Sequence, residues 1–189
     1  MRTTITAITA TLAAATATLA VPAATPAAAD NARDQPTLSA GLAPLAPMLG
    51  EWDCFETYHA GGFSPTEATA RGVDVIRVGP GGNAVIADYR SNGDFGPYSA
   101  HDMITWDPAD QRFHYLFIDS FGPSAQLHRG QAAGAAFVFE GPFNLYGKPG
   151  TMRRTYKDLT ATAGTLIVDF VDGDGAVTKL VTILKQRRK

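Results

Sequence analysis

The chain has 189 residues, of which 45% are hydrophobic and 18% are charged. This balance excludes an intrinsically disordered protein and is typical of a globular domain. The 16 basic and 18 acidic residues give a formal net charge of −2, so the chain lacks the basic character of a dedicated nucleic-acid-binding protein. We therefore expect no nucleic-acid partner.

Residues 1–29 have the pattern of a secretory signal peptide. Arg2 is the one charge, an apolar run extends from Ile5 to Val21, and three alanines precede Asp30. A basic start, an apolar middle and small residues at the cleavage site follow this order in signal peptides. The run is rich in threonine, which makes it a poor lasting membrane span. We expect cleavage near Ala29, export to the periplasm or the medium, and no stable membrane span afterwards.

The segment 30–39 is polar and is predicted to be a flexible lead-in to a single domain at 40–189. Apolar residues then recur at helical spacing between Gly41 and Gly50, where two prolines limit the helix to one or two turns. The single cysteine, Cys54, excludes an intramolecular disulfide, and we expect it to be a buried apolar residue.

The remainder of the chain alternates between short strand patterns and turn residues. The predicted strands are 51–59, 66–78, 83–91, 98–106, 112–120, 124–131, 135–140, 151–158, 164–172 and 176–186. Glycine, proline, asparagine and aspartate separate them, and no long helical pattern intervenes. Ten such strands predict an all-β, antiparallel up-and-down meander that closes into a barrel or folds into a sandwich.

Charge is unevenly distributed along this meander. Residues 30–147 contain six arginines and 14 acidic residues, whereas residues 148–189 contain nine basic and four acidic residues. One interpretation is a basic patch for an anionic partner. The simpler interpretation, which we favour, is that the last strands pair with the first strands of a closed barrel, so that opposite charges meet across the seam.

Several motifs resemble a known family. The segment 42–52 places a short apolar turn before Gly50-Glu51-Trp52, which resembles the opening of lipocalin-like (calycin-type) barrels, where the tryptophan plugs the closed end. The runs VIADYR (85–90), HDMITWD (101–107), FHYLFIDS (113–120), RRT (153–155) and TILKQR (182–187) are similar to the exported bacterial proteins grouped as domain of unknown function 1579. The resemblance implies a lipocalin-like barrel and no established reaction.

Nitrobindin-type barrels, which bind haem, open with a similar turn and Gly-x-Trp. Their haem ligand is a histidine near the C-terminus, but no histidine follows His128 in this chain. The resemblance therefore does not imply that this chain binds haem, and we expect no cofactor.

Two histidines lie on the predicted hairpin of strands 98–106 and 112–120. If 107–110 forms a four-residue loop, His114 lies opposite Met103 and His101 lies opposite Leu116, so both imidazoles share one face. Asp102 then lies with Tyr115 on the other face. A third ligand at useful spacing is missing, so we predict no metal site.

The aromatic strand 112–120 directs apolar side chains to both of its faces, and one face is expected to line a cavity. We predict that the protein binds a small apolar or amphipathic molecule inside the barrel, as a monomer or a homodimer, with no catalytic residue. The predicted ligand-binding residues are Met103, Trp106, His114, Tyr115 and, as an anchor for an acidic head group, Arg154.

Two alternatives remain open at this point. One is an enzyme that uses the cavity, with Asp102 and either His101 or His114 as acid–base groups. The other is an envelope interaction protein with a filled barrel, which acts through its outer face.

Overall fold

The computed structural model describes residues 36–122 and 124–189; the predicted signal peptide and most of the predicted lead-in lie outside them. A short 3-10 turn, Ala43–Met48, precedes ten strands, and a second one, Pro80–Gly82, joins the second strand to the third. The strands are β1 (Gly50–Tyr58), β2 (Ala68–Val78), β3 (Val85–Gly93), β4 (Gly96–Asp107), β5 (Arg112–Asp119), β6 (Gln126–Ala133), β7 (Ala136–Leu145), β8 (Lys148–Lys157), β9 (Ala163–Asp172) and β10 (Val177–Arg187).

Each strand pairs antiparallel with the next one in sequence, and β10 pairs with β1 to close a barrel. This confirms the predicted all-β, up-and-down barrel with a short N-terminal helical turn. Closure leaves neither a first nor a last strand with an unpaired edge. Among the described residues, no helix has the length and apolar character needed to cross a membrane.

The N-terminal 3-10 turn closes one end of the barrel. Leu42, Leu45 and Met48 are buried in the core, and the indole Nε1 of Trp52 donates a hydrogen bond to the Met48 carbonyl oxygen at 2.8 Å. The guanidinium carbon of Arg187 lies 4.1 Å from the centre of a Trp52 ring. The large indole therefore fills the space where the strands converge, as the lipocalin-like opening predicts.

Aromatic rings fill the barrel above this plug. The ring of Phe113 lies 5.9 Å from Phe137 and 6.1 Å from Phe139, measured between centroids. Gly130 lies opposite Phe139, and a Cβ atom added there would come within 2.3 Å of the Phe139 ring. A glycine at this position therefore leaves room for the fully buried Phe139 ring.

The β4–β5 hairpin has a register different from the predicted one. Asp107 pairs with Arg112, so His114 lies opposite Thr105 rather than Met103, and His101 lies opposite Ile118. The loop begins one residue later because the Asp107 carboxylate accepts a hydrogen bond from the Ala109 N–H (2.8 Å) and belongs to the strand end. The partners change by two positions, so each side chain keeps its predicted face.

The uneven charge distribution corresponds to pairing across the β1–β10 seam. The Arg188 guanidinium lies 3.1 Å from the Asp53 carboxylate and 3.8 Å from that of Glu51. Away from this seam, Arg153 of β8 pairs with Glu140 of the neighbouring strand β7 at 2.6 Å. These contacts agree with the cross-strand interpretation, in which the basic C-terminal strands match acidic neighbours.

Candidate ligand-binding cavity

A cavity of about 530 Å³ lies inside the barrel. All ten strands contribute side chains to its wall, and the Trp52 plug is not among them. The volume falls within the range of small-molecule sites, which is roughly 300–1,000 Å³. Most of the wall is aromatic or aliphatic, including Tyr58, Tyr89, Tyr98, Phe117, Phe143, Met152, Tyr156, Leu166, Val168, Val181 and Ile183.

The mouth of the cavity is edged with aromatic side chains carried by the connections between strands. Phe95, Phe121 and Tyr146 come from three different connections and line the cavity, yet they are 42%, 63% and 78% exposed. The Tyr146 hydroxyl donates a hydrogen bond to the Phe63 carbonyl oxygen at 2.9 Å, which joins the β7–β8 connection to the β1–β2 connection. An apolar molecule entering the barrel therefore meets aromatic surface first.

Glu56 is a buried carboxylate on the cavity wall. It accepts hydrogen bonds from the hydroxyls of Tyr58 (2.6 Å) and Tyr89 (2.5 Å), one on each oxygen. Burial, followed by the interaction with Glu56, raises the pKa of both tyrosines well above their usual range, so both stay protonated and act as donors.

A buried ion pair forms a second polar group. Lys185 Nζ lies 2.5 Å from the Asp74 carboxylate, and both side chains are almost fully buried. Burial, the largest effect, would lower the pKa of Lys185, but the charge and hydrogen bond of Asp74 together with Tyr156 and Cys54 outweigh it and raise the pKa above its ordinary value. The lysine is therefore charged and held by its own partner.

Arg154 differs from these groups because it forms no ion pair with a carboxylate in the described part of the chain. The residue is only 7% exposed, and its guanidinium carbon lies 3.8 Å from the centre of the Phe117 ring and 5.5 Å from that of Tyr115. Its Nε atom is buried and has no hydrogen-bond partner among the described residues. A guanidinium cation thus stands against aromatic rings at the cavity wall.

Asp102 also lines the cavity and is nearly buried. Burial raises the pKa of its carboxyl to about 6, and the attraction of Arg154 only partly opposes this effect. Its Oδ1 atom has no hydrogen-bond partner in the described part of the chain. The protonation state of this group therefore changes near neutral pH.

The five predicted site residues are not brought together. Arg154 lines the cavity, and Tyr115 is fully buried inside the barrel beside it without reaching the cavity wall. Met103 and His114 lie on the outer face, where the His114 imidazole is 3.8 Å from Asp110. Trp106 packs in the opposite half, with its ring 5.0 Å from that of Phe113. Alternation along β4 and β5 places Met103 and His114 on the outer face, whereas Trp106 faces inward and is separated from the cavity by its depth in the barrel.

The acid–base pairs of the enzyme alternative do not form either. His101 is exposed on the outer face, where its Nδ1 is hydrogen-bonded to Asp88 at 2.7 Å. Asp102 points into the barrel, so the wall separates it from both His101 and His114. The filled interior of the interaction alternative is also absent from the cavity half of the barrel.

Residues that the sequence reasoning missed supply most of the polar wall. Glu56 and Tyr58 lie at even positions of β1, as does Trp52, which was expected to point inward. Lys185 likewise lies two residues from the inward Ile183 on β10 and therefore faces the same side. This alternation was the available signal. Their meeting at one site depends on the closure of β1 against β10.

The β4–β5 turn brings Asp107, Asp110 and His114 together, with possible metal-ligand atoms within 4.8 Å of one another. Arg129 lies 3.4 Å from the Asp110 carboxylate and supplies a cation there. The Asp107 Oδ1 atom accepts from backbone N–H groups. Ion pairing and turn formation account for this cluster.

The fold and the cavity together define a lipocalin-like β-barrel with one plugged end and an interior site. The chain belongs to the family described as "Protein of unknown function (DUF1579)", whose model matches residues 42–187. No functionally curated protein matches the sequence significantly.

Two solved structures share the barrel. Rv2717c from M. tuberculosis aligns with a TM-score of 0.61 at 13% identity, over 80% of this chain and 99% of that one. The S-type phycobiliprotein lyase CPES from Guillardia theta aligns with a TM-score of 0.51 at 11% identity, over 76% and 90% of the two chains. At these identities the likeness shows the fold.

Proposed function

We propose that this protein binds one small apolar or amphipathic molecule inside its barrel. The observation that carries the proposal is the cavity of about 530 Å³, walled by aromatic and aliphatic side chains and open to an aromatic mouth. Burying apolar surface of a ligand there provides the driving force for binding, at roughly 25 cal/mol per Å² before the cost of association. The few charged groups on the wall orient the ligand.

The proposal includes export. Residues 1–29 have the order of a signal peptide, and a carrier of apolar molecules is of use in an aqueous compartment such as the periplasm. Cleavage near Ala29 leaves the barrel domain with its cavity as the functional unit.

A dye-binding experiment tests the proposal. N-phenyl-1-naphthylamine is a neutral dye that fluoresces in apolar surroundings, and we expect the wild-type protein to bind it saturably at one site. Ala100→Trp places an indole in the cavity and should abolish binding, since Ala100 lines the wall. Ser99→Trp adds the same indole on the exposed outer face of β4 and is the matched control, which should bind like wild type. Equal dye binding by both variants would count against an interior site.

A further inference from the structure

Six charged side chains line the cavity: Glu56, Asp74, Asp102, Asp119, Arg154 and Lys185. Four of them have partners within the chain. Glu56 accepts from two tyrosines, Asp74 and Lys185 pair with each other, and Asp119 accepts from the backbone N–H groups of Phe121 and Gly122. Arg154 and Asp102 are the two whose side chains form neither an ion pair nor a hydrogen bond among the described residues, and each has a buried polar atom without a partner.

An unpaired cation inside a barrel is costly. Its desolvation exceeds what an aromatic face returns, so buried charges are normally paired and hydrogen-bonded. The Phe117 ring at 3.8 Å covers one face of the guanidinium, but an aromatic face cannot accept its in-plane N–H bonds. The guanidinium thus lines the cavity without an acceptor from the described residues, and an anion bound in the cavity would supply one.

We propose that this anion is the carboxylate of an aliphatic ligand, held between Arg154 and Asp102, with the apolar chain extending past Phe117 to the aromatic mouth. This inference rests on the proposed function and names its ligand class. Arg154 donates hydrogen bonds to the ligand carboxylate, and protonated Asp102 donates one more, so that one proton is shared between two carboxyl groups.

The depth of the site suits a chain-like molecule. Arg154 lies six residues from Lys148, the first residue of β8 at the open end. With about 3.3 Å per residue and a strand tilt of about 40°, the backbone of Arg154 lies roughly 15 Å below the mouth. The wall along this distance is mostly apolar, which favours a hydrocarbon chain over a polar one.

Charge balance favours a monoanion. Asp102 must be protonated to donate to the ligand, and the charge of Arg154 then has no ionised carboxylate beside it among the described residues. A phosphate dianion would leave a surplus negative charge beside Asp102 and Asp74, and a cationic amine would face Arg154 directly. A neutral alcohol would leave the guanidinium unpaired.

The same geometry predicts pH-dependent binding. Asp102 is faced by Arg154 from β8, Lys185 from β10, Asp74 from β2 and Tyr115 from β5. Above its pKa of about 6, ionised Asp102 attracts the guanidinium itself and repels the ligand carboxylate. Below this value it is protonated and becomes a donor, so affinity for a carboxylate should rise as pH falls from 8 to 6.

Competition against N-phenyl-1-naphthylamine tests the inference with ligands that share one chain length. Dodecanoate, dodecanol, dodecylammonium and dodecyl phosphate differ in their head groups. We expect dodecanoate to displace the dye at a concentration about tenfold or more below that of dodecanol, the advantage of a charge-assisted contact in a buried site. The dodecanoate concentration needed to displace the dye should fall severalfold from pH 8 to pH 6, and the dodecanol concentration needed should not change.

Three variants assign the effect to residues. Arg154→Met should reduce dodecanoate to the level of dodecanol, whereas Arg153→Met, its exposed neighbour paired with Glu140, should keep the wild-type difference. Asp102→Asn carries a permanent N–H donor and should bind dodecanoate at pH 8 as well as wild type does at pH 6. If Arg154→Met does not fold, the Asp102→Asn variant still tests the inference.

Failure of the inference is distinguishable from failure of the proposed function. If all four amphiphiles displace the dye equally, or dodecylammonium or dodecyl phosphate displaces it best, the carboxylate assignment is overturned while interior binding stands. An unchanged preference in Arg154→Met, or a pH dependence that persists in Asp102→Asn, would also overturn it. If neither dye nor amphiphile binds the wild-type protein, the proposed function fails and the inference with it.

Discussion

At the scale of single residues, the cavity wall combines charged groups that are paired or hydrogen-bonded within the chain with two, Arg154 and Asp102, that have no such partner in the part of the chain that the structure describes. The Lys185–Asp74 pair illustrates the first kind, since both partners are buried and only 2.5 Å apart. Removing one partner of such a pair destabilises the protein by more than the intact pair stabilises it, because the other charge stays buried. Arg154 illustrates the second kind.

Lys185→Met is expected to reduce the free energy of unfolding by about 3–5 kcal/mol, because Asp74 then remains buried without its partner. Urea denaturation followed by circular dichroism measures the change. Lys148→Met is the matched control, since Lys148 also pairs with an aspartate at 2.5 Å but is exposed, and its effect should be much smaller. Equal losses in the two variants would show that burial does not set the strength of the pair.

At the scale of elements, the N-terminal turn and the start of β1 form a plug that is separate from the site. Trp52 is 1% exposed, bonds to the turn through Met48 and carries Arg187 on its ring. The cavity wall contains none of these residues. Stability and binding should therefore respond independently to changes at the two ends.

Trp52→Ala is expected to cost about 3–5 kcal/mol of stability, since it removes a large buried side chain and its hydrogen bond. Glu51→Ala, at the exposed neighbour, should change stability little. At a temperature where Trp52→Ala is still folded, its dye affinity should stay within about threefold of wild type, a difference below 1 kcal/mol. Loss of dye binding in the folded variant would show that the plug shapes the cavity.

The strands and the closed end could be predicted from sequence because their signals are local. Period-two alternation and turn residues located the boundaries of all ten strands to within three residues except the end of β7, which extends five residues further than predicted, and Gly50-x-Trp52 marked the plug. The β4–β5 register could not be predicted, because it depends on whether the loop contains Asp107 or Gln111, and Gln111 takes a left-handed backbone (φ 50°) that its residue type does not announce.

The site was harder to predict than the fold. Arg154 lines the cavity, and its expected role as an anchor for an acidic head group stays a prediction. Met103, Trp106 and His114 were assigned from neighbouring positions in sequence, although alternation and depth separate them from the cavity. Glu56, Tyr89 and Lys185 come from three strands, and only the closure of the barrel places them on one wall.

At the scale of the whole molecule, the two ends of the barrel have different roles. Aromatic packing and the N-terminal turn fill one end, and the other end keeps an open interior with aromatic residues at its mouth. The packed end stabilises the fold through close contacts between its side chains. The side chains that line the cavity lack such contacts and contribute less. A binding role explains why half of the barrel remains open.

Native mass spectrometry of the mature protein, purified from the envelope of its own host, tests the central claim most directly. We expect a chain that begins near Asp30 and carries one extra small mass, which disappears on denaturation. Ala100→Trp, purified in the same way, should lack this mass, and Ser99→Trp should retain it. A reproducibly unliganded wild-type protein, or an extra mass that Ala100→Trp retains, would contradict a ligand site inside the barrel.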